Sequence, residues 1–308
     1  MAEPLRIATR RSPLALWQAE FVAAALRVAR PELIVEIVPM STEGDEILDR
    51  SLAAVGGKGL FTKELERAML DGRAELAVHS LKDVPAALPE GMLLVAVFDP
   101  ADPRDAFVSN DHATLDALPD GARVGSSSLR RQAQLQHRYP ALRFEMLRGN
   151  VQSRLRRLDE GAYDAIILAV AGLERLGLGE RVREAIDPAI CVPAIGQGVL
   201  AVECRADDDR TRQALAALEH APTRARITAE RTVNARLQGS CHAPIAAYAV
   251  VHEGVLSLVA RVGEPDGSRL LEARAEGRAD APEAVGLRVA DDLLNQGAAA
   301  ILAAAAAR

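Results

Sequence analysis

The stretch LRIATRRSPLALWQAEFVAAALRV, residues 5–28, decides the fold because it places a short apolar strand directly before a helix. Ser12 is a natural N-cap and Pro13 suits the first helical position. Pro31 lies beyond the expected end of the helix. The apolar residues that recur at helical spacing are Leu14, Trp17, Phe21, Ala24 and Val28. A strand that leads straight into a helix is the opening unit of an α/β domain.

Outward from this stretch, strand and helix patterns alternate. Strands are predicted at 33–40 and 76–79, with a helix at 60–70 between them. The proline-rich segment 99–103 is typical of a domain crossing. A comparable layout restarts after it, with strands at 122–125, 143–147 and 165–169 and helices from 129 and at 150–160. We therefore predict two α/β domains that face each other across a cleft.

The last part of the chain has a different pattern. A long helix is predicted at 223–237, followed by alternating runs at 245–251, 255–262 and 270–275 and one closing Ala/Leu-rich helix. These features predict a smaller α+β C-terminal domain with an antiparallel sheet.

Composition narrows the function. The 308 residues contain no run of about 18 apolar residues and no signal-peptide core, so we expect a cytoplasmic protein that does not enter a membrane. A net charge of −6 argues against nucleic acid as a partner. The three cysteines show no C-x-x-C spacing, so neither a disulfide framework nor a metal site is expected.

Two helix starts are suited to anions: RRSP at 10–13 and SSSLRR at 126–131. Backbone N–H groups, serine hydroxyls and the helix dipole favour an anion there, and arginine binds carboxylates with two parallel hydrogen bonds. Alternatively, the serines only cap helices and the arginines face solvent. The equivalent positions in two facing domains favour an anionic ligand. Further basic residues lie at or near strand ends, where open α/β sheets bind ligands: Arg148, Arg154 and Arg175.

Two other segments carry reactive groups. HSLKDVP, residues 79–85, combines a hydroxyl, an ammonium and a carboxylate, although a surface turn before proline would look the same. A carboxylate among basic groups stays ionised and can stabilise a developing cation. Cys241 lies in a turn after a helix, which makes its thiol more accessible than that of Cys204 inside a strand-like run.

Taken together and in this order, these segments resemble the porphobilinogen deaminase (hydroxymethylbilane synthase) family. Further matches are GGKGLF at 56–61, RGN at 148–150 and PAIGQG at 193–198. The resemblance implies two periplasmic-binding-protein-like α/β domains around a cleft and a third domain that bears the cofactor. The implied divisions are 1–99 with 199–218 for the first domain, 104–192 for the second and 222–308 for the third.

The resemblance also implies the chemistry. A dipyrromethane cofactor is attached to Cys241 by a thioether, and four porphobilinogens are added head to tail with loss of ammonia before hydroxymethylbilane is released. Asp83 would stabilise the positive pyrrole nitrogens. Porphobilinogen and its oligomers are the expected partners of a monomeric enzyme.

The residue roles follow from the same resemblance. Cofactor binding falls to Ser80, Lys82, Ser128, Arg130 and Arg131. Substrate binding falls to Arg10, Ser12, Lys58, Phe61, Arg148, Arg154 and Arg175, with residues 41–59 as a mobile lid. The alternative is a non-catalytic two-domain binding protein for a small anionic ligand, which does not need Asp83 and Cys241 together.

Overall fold

The computed structural model describes residues 3–42, 61–239 and 243–307. Most of the predicted lid, including Lys58, lies outside the described residues, and so does Cys241. The rest of the chain forms two five-stranded sheets and one three-stranded sheet.

The first sheet has the strand order β2-β1-β3-β10-β4. Its first three strands are parallel, and β10 runs antiparallel between β3 and β4. The strands are β1 (Leu5–Arg10), β2 (Val35–Met40), β3 (Leu76–Ser80), β4 (Met92–Val97) and β10 (Leu200–Arg205). The helices that accompany them are α1 (Pro13–Ala29), α2 (Lys63–Leu70) and α6 (Asp209–Leu215).

The second sheet has the order β7-β6-β8-β5-β9. Its strands are β5 (Asp105–Val108), β6 (Arg123–Gly125), β7 (Arg143–Glu145), β8 (Ala165–Ala169) and β9 (Glu184–Ala185), and its helices are α3 (Leu129–Arg138), α4 (Val151–Asp159) and α5 (Val170–Arg175). In both sheets, three parallel strands lie beside one antiparallel strand. This antiparallel strand is β10 in the first sheet and β5 in the second, and each follows a segment in which the chain crosses between the two domains. The predicted pair of α/β domains is confirmed by this shared topology.

The third sheet is an antiparallel meander, as predicted. It consists of β11 (Ile245–His252), β12 (Val255–Gly263) and β13 (Leu270–Arg278), with helices α7 (Ala221–Arg236), α8 (Pro282–Asn295) and α9 (Ala298–Ala306). An Ala/Leu-rich helix, α9, closes the chain as predicted, and a separate helix, α8, precedes it. Gly297 adopts φ +101°, a left-handed conformation that ends the regular helix and separates α8 from α9.

Helix α1 begins where the sequence predicts, but the apolar stripe predicted from its spacing does not face the sheet of its own domain. Ala19, Val22 and Leu26 form the buried face instead. Trp17 and Phe21 are exposed by 38% and 43% and stack on each other with ring centroids 5.4 Å apart. The first residue of the predicted stripe faces the second domain, since Leu14 lies near Gly172 of helix α5.

Two chain crossings join the first two domains side by side. The Ala101 N–H donates to the Gly198 carbonyl at 3.2 Å. Gly198 adopts φ +86°, and a Cβ there would lie 2.5 Å from the Ala101 oxygen, so only glycine allows this approach. None of the helices among the described residues is long and apolar enough to span a bilayer.

Candidate functional site

The first half of the site lies at the carboxyl edge of the first sheet. Ser12 caps α1 by accepting from the Ala15 N–H at 3.4 Å, as predicted. The Arg10 guanidinium lies 4.2 Å from the centroid of the Phe61 ring. The two groups therefore lie together beside the start of α1.

The HSLKDVP segment continues this edge. Ser80 ends β3 and accepts from the Gln18 amide at 2.8 Å, and a single 3-10 turn, Leu81–Asp83, follows it. The Lys82 ammonium donates to Gln197 Oε1 at 3.3 Å. Burial, reinforced by the positive charge of Arg131, lowers the pKa of Lys82 to about 8. His79 is buried, with Nε2 2.9 Å from the Glu203 carboxylate.

The second half of the site is the start of α3 in the second domain. Ser128 caps this helix by accepting from the Arg131 N–H at 3.4 Å. Arg130 and Arg131 are buried, and both bind the carboxylate of Asp105, which has no exposed surface. Arg130 Nη1 and Nη2 lie 2.7 and 3.0 Å from its two oxygens, and Arg131 Nε and Nη2 lie 2.9 and 2.8 Å from Oδ1.

Asp105 and Gln197 are functional candidates that sequence reasoning missed. Burial alone would raise the pKa of Asp105, but the charges of Arg130 and Arg131 outweigh burial and hold it well below its usual range. Gln197 Nε2 donates to Asp105 Oδ1 at 2.9 Å, while its oxygen accepts from Lys82. A continuous hydrogen-bonded chain thus links the Lys82 motif of one domain to the arginine pair of the other.

The predicted basic residues of the second domain occupy different places. Arg154 Nε donates to the Gly149 carbonyl at 2.7 Å, and burial together with the charges of Arg131 and Arg148 lowers the Arg154 pKa to about 10. Arg148 is buried, and its pKa is lowered for the same desolvation reason. Arg175 instead donates to the Gly198 carbonyl at 2.6 Å, which places it at the domain crossing.

The resulting electrostatics favour a ligand with several carboxylates. Lys82 and Arg154 both have lowered pKa values, although the charge of Asp83 acts on each of them in the opposite direction. Burial and neighbouring cations therefore outweigh the nearby carboxylates, which are Asp83 for both groups and also Asp105 for Lys82. Bound carboxylates would relieve both effects, since they replace lost hydration and offset repulsion between the cations.

The two described cysteines are poor nucleophiles. Both are buried. Burial raises the pKa of the Cys191 thiol to about 12 and that of the Cys204 thiol to about 11. Cys191 also donates to Asp105 at 3.3 Å. Since the thiolate is the reactive form, neither residue has the properties of an attachment site at neutral pH.

Family models match most of the chain in two consecutive parts. Residues 5–213 match the model described as porphobilinogen deaminase, dipyromethane cofactor binding domain. Residues 224–295 match the model described as porphobilinogen deaminase, C-terminal domain.

The chain is also similar to solved binding proteins. A putative methionine-binding lipoprotein from Bacillus subtilis is 13% identical over 70% of this chain and 90% of that one, with a TM-score of 0.46. A periplasmic substrate-binding protein of an ABC transporter from Coxiella burnetii is 18% identical over 70% and 91%, with a TM-score of 0.43. The Bordetella pertussis BvgS VFT2 domain is 17% identical over 69% and 84%, with a TM-score of 0.42.

Replacing Asp105 by asparagine is expected to lower the free energy of unfolding by about 3–5 kcal/mol, because two buried guanidinium groups lose their counter-charge. Denaturant titration at pH 7 measures the loss. The control is Asp291→Asn, which removes an exposed ion pair with Arg236 (2.8 Å) and should cost less than about 1 kcal/mol. Equal losses in the two variants would contradict a special role for Asp105.

Proposed function

The chain belongs to the porphobilinogen deaminase family, a family of transferases, and from that premise we propose that it is a hydroxymethylbilane synthase. In this proposal it joins four porphobilinogens head to tail. Each C–C bond forms with loss of one ammonia, and hydrolysis then releases hydroxymethylbilane. The observation that carries the proposal is the hydrogen-bonded chain from Lys82 of one domain, through Gln197 and Asp105, to the arginine pair of the other.

The residues present fit a dipyrromethane cofactor, whose pyrroles carry acetate and propionate groups. Lys82, Ser80 and Ser128 would hold these carboxylates together with Arg130 and Arg131. The two arginines already bind Asp105, so we infer that they offer their remaining N–H groups and the positive potential of the helix start. When bound, the cofactor supplies the pyrrole carbon that takes the first substrate.

Asp83 is the residue we propose for the chemical steps. It belongs to a 3-10 turn whose backbone is closed by the Val84 N–H donating to the Leu81 carbonyl at 3.0 Å. A fixed carboxylate stabilises positive charge that develops on a pyrrole nitrogen as ammonia leaves and as the new bond forms. The charge of Asp83 also acts on Lys82 and Arg154, which line the same region.

Incoming substrate and the growing chain would bind farther out. The residues proposed for this task are Arg10, Ser12, Lys58, Phe61, Arg148, Arg154 and Arg175. Arg175 lies between α1 and the crossing, with its guanidinium 5.7 Å from the centroid of Trp17, so its contribution would couple ligand binding to the domain junction. The family resemblance further implies a cytoplasmic monomer, which cell fractionation and sedimentation would test.

Attachment of the cofactor through Cys241 distinguishes the enzyme from a non-catalytic binding protein. The purified protein should exceed its sequence mass by two porphobilinogen units less two ammonias, and peptide mapping should place the adduct on Cys241. Cys241→Ser should lack both adduct and turnover, because serine provides no thiolate. Cys204→Ser is the control and should retain both. An adduct that persists in Cys241→Ser would overturn the assignment.

Asp83→Asn is expected to reduce turnover by on the order of a hundredfold or more, since it removes a preorganised charge where a cation develops. The thermal midpoint should stay close to that of the wild type. Asp83→Glu retains the charge in a displaced position and should keep a trace of activity. Porphobilinogen consumption at saturating substrate measures both variants, and normal turnover in Asp83→Asn would contradict the role.

The lowered pKa of Lys82 predicts a basic limb in cofactor assembly. Below pH 8 the ammonium is charged and binds carboxylates, and above pH 8 it loses its proton and that attraction. The rate at which apoprotein gains the adduct from porphobilinogen should therefore fall between pH 7 and 9. Lys82→Arg stays protonated throughout, so the ratio of wild-type to variant rates should decline over this range. A constant ratio would rule out Lys82 as the titrating group.

A further inference from the structure

We propose that Glu230 and Arg231, adjacent residues on helix α7 of the third domain, are positioning residues for the reaction. Arg231 holds the segment that follows Asp83, and Glu230 holds the segment that contains Gln197. The inference rests on the proposed function for its catalytic meaning. Its structural part states that these residues keep the two segments well ordered, and this can be measured without any substrate.

Arg231 binds the backbone directly after the catalytic turn. Its Nη2 donates to the carbonyls of Pro85 at 2.8 Å and Ala86 at 2.9 Å, and Nη1 lies 3.5 Å from the Val84 oxygen. The planar guanidinium presents several donors in a fixed arrangement, so it fixes the direction of successive carbonyls as well as their distance. The turn that carries Lys82 and Asp83 is therefore held from its C-terminal side by another domain.

Among the residues that the structure describes, no carboxylate lies within ion-pair distance of the Arg231 guanidinium. Burial, with the positive charge of Arg224, lowers the pKa of Arg231. Holding a partly desolvated cation on carbonyls alone costs free energy that a neutral side chain would avoid. Simple helix packing does not need this arrangement, whereas fixing the path of a catalytic backbone does.

Glu230 binds the neighbouring segment in the same way, through backbone groups. Its carboxylate accepts from the Gly196 N–H at 2.7 Å and from the Ala249 N–H at 2.9 Å, and it is only 3% exposed. Burial raises its pKa to about 7. Gly196 directly precedes Gln197, which binds both Lys82 and Asp105. Glu230 thus fixes the residue that joins the two halves of the site.

The two segments held by this pair also touch each other. Gly196 adopts φ +68°, and a Cβ at this position would lie 2.7 Å from the Leu81 side chain. Leu81 opens the turn that contains Asp83. Glu230 and Arg231 therefore hold the two segments that meet where Gly196 contacts Leu81. The same helix ends at Arg236, shortly before the proposed attachment residue Cys241 in the sequence.

The test compares Arg231→Met with Arg224→Met on the same helix. Arg224 binds Glu219 at 2.6 Å and the Leu94 carbonyl at 3.2 Å, so its replacement removes a contact with the first domain without affecting residues 84–86. We expect Arg231→Met to lower kcat at least tenfold with KM changed less than about twofold and the cofactor adduct intact, because small displacements of catalytic groups reduce rate more than binding. Arg224→Met should stay within twofold of the wild type.

Amide hydrogen exchange, measured without substrate, provides the independent readout. Arg231→Met should speed exchange at Leu81 and Val84 at least tenfold over Arg224→Met, and Glu230→Gln should do so at Gly196 or at Ala249, because the amide keeps one acceptor oxygen for two N–H donors. If Arg231→Met does not fold, Arg231→Lys serves in its place. Lysine keeps the charge without the planar fork, so we expect kcat to fall about threefold or more at an unchanged thermal midpoint.

The outcomes separate the inference from the proposed function. Full turnover in Arg231→Met, or in Arg231→Lys where that variant is used, overturns the inference, and so does unchanged exchange at Leu81 and Val84. A wild-type protein that does not consume porphobilinogen overturns the proposed function and the catalytic meaning of the pair. In that event, faster amide hydrogen exchange in the Arg231 and Glu230 variants would still establish that these two residues keep the two segments ordered.

Discussion

The structure depends on one buried carboxylate. Asp105 lies at the start of β5, immediately after the chain enters the second domain, and binds two arginines, a glutamine amide and a thiol. Arg130 and Arg131 can stay buried at the start of α3 only because this charge compensates them; a missing partner would cost several kcal/mol. Since Gln197 links the carboxylate to Lys82, the same interaction also fixes how the two domains meet.

This constraint explains why the site keeps an excess of positive charge. Asp105 compensates the inner arginines, but Lys82 and Arg154 retain lowered pKa values although the charge of Asp83 acts on both and that of Asp105 acts on Lys82. A fully neutralised cleft would bind an anion weakly, whereas a cleft of desolvated cations binds several carboxylates strongly. The excess therefore suits a ligand that gains two carboxylates with every pyrrole added. In the proposed reaction Asp83 would stabilise positive charge on the pyrrole nitrogens.

Local signals predicted much of this from sequence, and non-local contacts account for the rest. Ser12 and Ser128 cap helices through bonds that span three residues, so capping rules locate them. Asp105 pairs with Arg130 across 25 residues, from strand β5 to helix α3, a pairing that no local pattern specifies. The exposed stripe of α1 shows the same limit: helical spacing identifies the helix, but packing against the sheet selects Ala19, Val22 and Leu26 as its buried face.

The role of the third domain follows from where α7 attaches. In the proposed reaction the thioether at Cys241 holds the inner end of the growing chain, whereas each new pyrrole is added at the free end, where Asp83 has to stay in place. Helix α7 suits this need because Arg231 binds the backbone that follows the catalytic turn, and Glu230 binds Gly196, which packs against Leu81 of that turn. The catalytic turn is therefore fixed from two directions, by Arg231 of the third domain and by Gln197, which also binds the Asp105 carboxylate of the second domain. If the turn stays fixed in the proposed reaction, it is the growing chain that has to move past Asp83 as pyrroles are added.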